Sequence, residues 1–209
     1  MSDLTLYHAP QSRSATALWM LEEIGEPYAL EVRRFDDGSL RKSEYLAINP
    51  MGKVPALKHG EAIITEAAAI CCYLADTFPG AKMNIPAGDP RRGPYLKWLF
   101  FGPSCFEPAV IDKMLKREPG ERVAIGWGNL ELVLDTIFKA IEKGPYLFGD
   151  QFTAADLLIG GGLRWGMMTK SVPIRPEFSA YAQRVGDRPA AKRASAKDKE
   201  IMAAQKQKK

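Results

Sequence analysis

Cysteine and histidine are scarce: the 209 residues hold three Cys and two His. Cys71, Cys72 and Cys105 are odd in number and two are adjacent, so no disulfide framework is expected. No C-x-x-C occurs, and His8 and His59 alone make no metal-like cluster, so no metal is expected. A reducing compartment fits this usage. No run of about 18 apolar residues exists, which excludes a membrane-spanning helix. Asp3, His8 and Arg13 interrupt any apolar leader, so a cytoplasmic location is expected. The 18 Gly follow no three-residue period, which excludes a collagen-like chain. With 46% hydrophobic and 26% charged residues, the composition is that of a folded protein. At roughly 150 residues per domain, one large or two small domains are expected.

Lys and Arg total 29 against 25 Asp and Glu, a formal charge of +4. A basic balance invites a nucleic-acid reading, but the charge sits at one end. Lys192 to Lys209 hold seven bases and two acids, a net +5, so residues 1–191 carry −1. The excess reads as a solvated, frayed basic tail or, alternatively, a polybasic contact with an acidic surface, and no nucleic-acid partner is expected.

Residues 3–7 alternate as a strand, and 12–25 switch to a helical period with Ala17, Met20, Leu21 and Ile24 on one face. Ser12 stands at the expected N-cap, and Gly25 follows the last apolar residue. Residues 28–33 alternate again, which completes a βαβ unit. A short helical piece runs to about Ile48, then the turn Asn49-Pro50-Met51-Gly52. Residues 54–58 and 62–65 form a hairpin, and a helix carries Ala67, Ile70, Cys71, Leu74 and Phe78. After a linker over 81–90 no strand pattern recurs. Residues 91–117 are helical in part, with a break or kink expected at Gly102-Pro103. Residues 121–143 show helical spacing, and another helix opens at Phe152. The layout is α/β plus all-α: a small α/β domain (1–80), a linker (81–90), a helical domain (91–191) and the tail (192–209).

Four places carry chemistry. Pro55 opens a strand, where proline costs a ladder hydrogen bond. It is either a plain edge proline or a cis proline that turns Val54's main chain toward an extended, peptide-like ligand. Ser12 lies at a helix start, where free N–H groups and positive potential favour an anion such as a thiolate. It either caps the helix or donates to that anion. Glu66 opens a helix, where a carboxylate suits the helix dipole or can accept a ligand ammonium. Thr153 and Asp156 form a Thr-x-x-Asp capping box, which is structural.

Together these pieces resemble the glutathione S-transferase family. The segments are Leu6-Tyr7-His8-Ala9-Pro10-Gln11-Ser12-Arg13-Ser14, Leu21-Glu22-Glu23-Ile24-Gly25, Asn49 to Leu57, Ile64 to Ile70 and Phe148 to Asp156, in the family's order across the chain. The resemblance implies a thioredoxin-like first domain, a helical second domain, a homodimer, and attack by glutathione thiolate on a small hydrophobic electrophile. By the same resemblance, Val54, before a cis Pro55, would pair with the cysteinyl part of glutathione. Glu66 would hold the γ-glutamyl ammonium, and Lys53 with Lys42 or Arg41 would face the glycyl carboxylate. Ser12 would stand near the sulfur. Many relatives have Ser where Ala67 stands, which leaves only a backbone N–H for the γ-glutamyl carboxylate. Some carry a base at Leu40, and serine-using relatives have their Ser at Ala9. Tyr7 reads as strand core. Ser12, Ser14, Tyr7 or backbone N–H groups remain the alternatives for thiol activation. Tyr95, Trp98, Phe101 and Met114, with Trp165, Met167 and Met168, are either an apolar wall for the electrophile or ordinary core or dimer packing. A non-catalytic glutathione-binding protein and a glutathione-dependent thiol oxidoreductase are the competing functions.

Overall fold

The computed structural model describes residues 3–117, 120, 121 and 123–207. The chain divides into two compact units, one of residues 1–81 with 189–209, the other of residues 82–188. Lys208 and Lys209, counted above with the basic tail, lie outside the described residues.

The first unit is built on a four-stranded mixed sheet. Strands β1 (Leu4–His8), β2 (Ala29–Val32), β3 (Ala56–His59) and β4 (Ala62–Thr65) lie in the order β2-β1-β3-β4. β1 and β2 run parallel; β1–β3 and β3–β4 are antiparallel. Parallel neighbours need a crossover helix, and α1 (Ser14–Ile24) supplies it. Gly25, at φ 79, ends α1 with its N–H on the Leu21 carbonyl. Helix α2 (Ser43–Leu46) precedes β3, and α3 (Ala67–Thr77) follows β4. The central strand β1 buries Leu4, Leu6, Tyr7 and His8. Ala17, Leu18, Met20 and Leu21 of α1, with Ile70, Cys71 and Leu74 of α3, complete the core. This is the thioredoxin-like arrangement that the resemblance implied.

The expected frayed tail is corrected. Residues Pro189–Gln207 form a helix that belongs to the first unit and packs on α1. Its buried residues Ala190, Ala191 and Ala194 are small, so the seam is invisible to a search for large apolar side chains. Arg193 and Lys197, counted above as solvated bases, reach Glu22 of α1. The Arg193 Nε–Glu22 Oε2 distance is 2.7 Å and the Lys197 Nζ–Glu22 Oε1 distance is 2.6 Å. Tyr28 Oη donates to the same carboxylate at 2.5 Å.

The second unit is helical. Helix α4 (Arg92–Phe101) passes through a π-helical turn (Gly102–Phe106) into α5 (Glu107–Met114). Proline at 103 lacks an N–H, and the chain meets that by widening the turn rather than breaking it: Glu107 N–H reaches Gly102 O, five residues back. Ser104 Oγ donates to Phe100 O at 2.6 Å. The next helix, α6, spans Leu130–Ile141 and not the whole of 121–143. Its start is fixed by Asn129, whose side chain accepts the Leu132 N–H at 2.8 Å. Helices α7 (Ala154–Met168) and α8 (Pro176–Gly186) complete this unit, and the helix Pro189–Gln207 is α9. The Thr153–Asp156 capping box is formed. Of the candidate wall residues, Tyr95 and Trp98 take the core alternative: they are 0% and 6% exposed. Met114, Trp165 and Met168 are exposed.

Candidate functional site

Register decides what meets at one end of the sheet. Tyr7 of β1 faces Glu31 of β2 on one side and Ala56 of β3 on the other, and Ala56 faces Thr65 of β4. The residues that leave β1, enter β3 and leave β4 therefore gather at the same edge. They are the loop from Ala9 into α1, the Val54–Pro55 pair, and Glu66 with Ala67.

Val54 and Pro55 are buried, and the bond between them is cis. Val54 precedes the ladder, which begins at Ala56. The turn that delivers it is held by Asn49. Its side chain accepts Met51 N–H at 3.1 Å and donates to Lys53 O at 2.8 Å. Tyr45 Oη donates to the same carbonyl at 2.5 Å. Gly52 sits at φ 60, and a Cβ there would lie 2.9 Å from Leu40 O, so only glycine fits. Leu40, Tyr7, Ala9, Tyr45, Val54 and Ala56 form one buried cluster beneath this edge. Tyr7 is thus strand core, as expected, with its ring 5.7 Å from that of Tyr45. Burial pushes the Tyr45 hydroxyl up to about 12.

Glu66 is exposed and holds φ 68, a sparsely populated conformation for a residue with a Cβ. Ala67, half-buried, begins α3 behind it. Lys42 and Lys53 are exposed, as is Arg41.

The start of α1 carries a tight hydroxyl cluster. Ser12 Oγ accepts the Ser14 N–H at 3.1 Å, but helical structure starts only at Ser14, so the N-cap position expected for Ser12 falls to Arg13, which makes no side-chain cap bond. Ser12 Oγ also lies 2.7 Å from Ala9 O and 2.7 Å from Ser14 Oγ. Its single proton is therefore directed into the loop. Ser14 is buried, accepts Ala9 N–H at 3.0 Å, and lies 2.8 Å from His8 Nδ1. The Gln11 N–H, at a positive φ of 54, is held by the Asp198 carboxylate of α9 at 3.2 and 3.3 Å. Sequence reading missed His8 and Asp198. His8 had only its rarity as a signal, and Asp198 lay 187 residues from its contact.

Among the described residues no group of His, Cys, Asp and Glu gathers as a metal-ligand set, and no helix is long and apolar enough to cross a membrane. Cys71 is fully buried, which pushes its thiol far up.

Comparisons with known proteins bear on the family and the fold. The Glutathione S-transferase N-terminal domain matches residues 2–76 and the corresponding C-terminal domain matches residues 103–189. The chain is 26% identical over 193 residues to glutathione S-transferase GstA of Escherichia coli O157:H7, covering 89% of this chain and 94% of that one. It is 30% identical over 166 residues to a glutathione S-transferase of Hyoscyamus muticus, covering 73% and 78%. Among solved structures it resembles a theta class glutathione S-transferase of Xanthomonas axonopodis pv. citri with glutathione bound. That match has 27% identity and a TM-score of 0.76, covering 93% of this chain and 97% of that one. A Sulfitobacter glutathione transferase homolog with bound glutathione matches at 26% identity and a TM-score of 0.76, covering 96% and 99%. With its two domains matched in order and its sheet edge, turn and capping box in place, the chain belongs to the glutathione S-transferase family.

Proposed function

We propose that the protein is a glutathione transferase that joins the glutathione thiolate to small hydrophobic electrophiles. The observation that carries this reading is the meeting, at one sheet edge, of three features: the start of α1, Val54 outside the strand ladder, and Glu66 at the head of α3. An extended tripeptide laid along that edge meets a complementary group at each part. Val54's main chain, ahead of Pro55, pairs with the cysteinyl residue. Glu66 takes the γ-glutamyl ammonium, and the Ala67 N–H takes the neighbouring carboxylate. Lys53 and Lys42 face the glycyl carboxylate, and Ser12 lies nearest the sulfur. The protein works as a cytoplasmic homodimer.

Energetics set what the site must do. A free thiol titrates near ~8.5, and lowering that by ~2 units needs ~2.7 kcal/mol of selective anion stabilisation. A helix terminus contributes roughly 0.3–1 kcal/mol, and a hydrogen bond to a charged group roughly 1.5–3 kcal/mol. The helix terminus alone falls short, so a hydroxyl must turn toward sulfur. The inward hydrogen bond of Ser12 is the one observation that favours the binding-only alternative. A thiol oxidoreductase is disfavoured, since no cysteine stands at the start of α1 and Cys71 is buried.

Calorimetry with glutathione and turnover of an aryl halide test the reading. Expected are glutathione binding and measurable turnover, with Glu66→Gln weakening binding about tenfold, equal to ~1.4 kcal/mol. Ser12→Ala is expected to lower turnover while leaving affinity near its original value. Binding without turnover would leave a carrier protein; absence of binding at millimolar glutathione would end the proposal.

A further inference from the structure

Two groups beside the site have no part in that reaction. His8 ends β1 with a side chain that is 0% exposed, and a buried imidazole calls for partners at both ring nitrogens. Nδ1 lies 2.8 Å from Ser14 Oγ. Nε2 stands 3.2 Å from Asp198 Oδ1, off the line of a hydrogen bond, and has no hydrogen-bond partner among the described residues. The contact is therefore electrostatic rather than a hydrogen bond. Asp198 arrives from α9 with a side chain 15% exposed.

The charge of Asp198 selects among the proton positions these distances allow. The negative charge of Asp198 beside Nε2 favours the ring tautomer with its hydrogen on Nε2, which leaves Nδ1 to accept. In the relay Ser14 donates to Nδ1, at 2.8 Å, in preference to Ala9 O at 3.0 Å, while it accepts Ala9 N–H; Ser12, 2.7 Å from both Ala9 O and Ser14 Oγ, turns its hydroxyl to Ser14. Ser12 accepts Ser14 N–H and keeps a further lone pair.

We propose that Asp198, His8, Ser14 and Ser12 form a relay that draws the thiol proton of bound glutathione into the protein. The relay rests on the reading that places the glutathione sulfur beside Ser12. In the step, the S–H bond breaks and its proton goes to Ser12 Oγ. The Ser12 proton passes to Ser14 Oγ, and the Ser14 proton passes to His8 Nδ1. The products are a thiolate and an imidazolium beside Asp198, with no change in net charge and no electron transfer. The relay has then reversed direction. Imidazolium Nδ1–H donates to Ser14, and Ser12 donates outward to the new thiolate. An inward-pointing hydroxyl thus becomes the donor that the anion requires. His8 and Asp198 touch no substrate, so they are positioning residues.

The other groups around His8 leave this balance to Asp198. Just after β2, Arg33 gives its backbone N–H to His8 O at 2.7 Å, while its guanidinium lies over the rings of Tyr7 and Tyr45 at 5.5 and 5.4 Å. From α1 comes the neutral Ser14 hydroxyl. Elsewhere on α9, Arg193 and Lys197 are turned to Glu22.

The deciding measurement is the apparent pKa of the bound thiol, read from thiolate ultraviolet absorbance in the full-length protein and in Asp198→Asn. Asparagine keeps an oxygen for the Gln11 N–H. Simple loss of a nearby negative charge makes a thiolate easier to form and lowers that pKa. The relay requires the opposite sign, because the imidazolium loses its counter-charge: a rise of about one unit, or a tenfold loss of thiolate. kcat/KM should fall about tenfold near neutral pH and recover in alkali. S-Methylglutathione, which has no thiol proton, should bind both proteins equally. Ser14→Ala cuts the relay with every charge intact and should give the same rise, with none added in the double variant. An unchanged or lowered thiol pKa in Asp198→Asn overturns the relay. Should Asp198→Asn fail to fold, an unchanged or lowered thiol pKa in Ser14→Ala overturns it equally. If the unmutated protein binds neither glutathione nor S-methylglutathione, the site reading and the relay fall together. If it binds both and the variants leave the thiol pKa unmoved, the relay alone falls.

Discussion

Among the described residues each unit buries one carboxylate, and the two are kept by opposite means. Glu22, 8% exposed on α1, is surrounded by Arg193, Lys197 and Tyr28. Burial pushes its carboxyl up, but the hydrogen bonds from Lys197, Tyr28 and Arg193 outweigh that and hold it below its ordinary value. Asp156, 0% exposed at the head of α7, has neutral donors only: Leu147 N–H at 2.7 Å, Tyr181 Oη at 2.8 Å, and Thr153 N–H and Oγ1 both at 2.9 Å. There burial wins, and the carboxyl is raised. Four hydrogen bonds satisfy an oxygen pair, yet only a cation offsets the loss of water around its charge. Glu22 is a clamp between two helices made by charge; Asp156 is a joint made by geometry.

The largest effect should come from breaking the joint. Asp156→Ala strands the Tyr181 hydroxyl and three further donors, and should cost at least about 3 kcal/mol in urea unfolding. A loss under about 1 kcal/mol would mean the capping box is ornamental. Next comes the clamp. Glu22→Gln leaves two cations without their partner, and because those cations are half exposed the expected cost is about 1–3 kcal/mol. Acid then separates the two. With its folded pKa held down, Glu22 contributes stability above its ordinary value of 4.5, and that contribution disappears as pH falls through the folded value. The gap between the protein and Glu22→Gln should therefore shrink in acid. For Asp156, with its folded pKa raised, the gap to Asp156→Asn should widen in acid. Parallel trends for both would overturn the comparison. The smallest effect belongs to a surface pair of the same chemistry: Asp135→Asn, which frees Arg175 at 3.0 Å, should change stability by about 0–1 kcal/mol.

The two carboxylates also mark what could be read from the chain. Asp156 was legible because Thr-x-x-Asp is a local pattern whose partners lie within one turn. The βαβ and hairpin layout of residues 1–80 was legible for the same reason: its periods are short and its stops are glycine and proline. Glu22 looked like one acid on a helix surface, because both of its cations come from the last helix. Helix α9 itself was hidden because its inward stripe of Ala190, Ala194 and Asp198 repeats every four residues without a large apolar side chain. The site divided likewise. Pro55, Glu66 and Ser12 stood out by type and position. His8 with Asp198, and the positive φ of Glu66, exist only once the chain has closed on itself.

Because α9 belongs to the unit that begins with β1, that unit is interrupted in sequence by the whole of the other. At roughly 5–20 residues per second of synthesis, the nascent first strands would wait several seconds on the ribosome before Arg193, Lys197 and Asp198 emerge. During that wait Glu22 has neither cation and the Gln11 amide lacks its acceptor. Half-made chains would thus be vulnerable to capture by chaperones or proteases at the face α9 later covers.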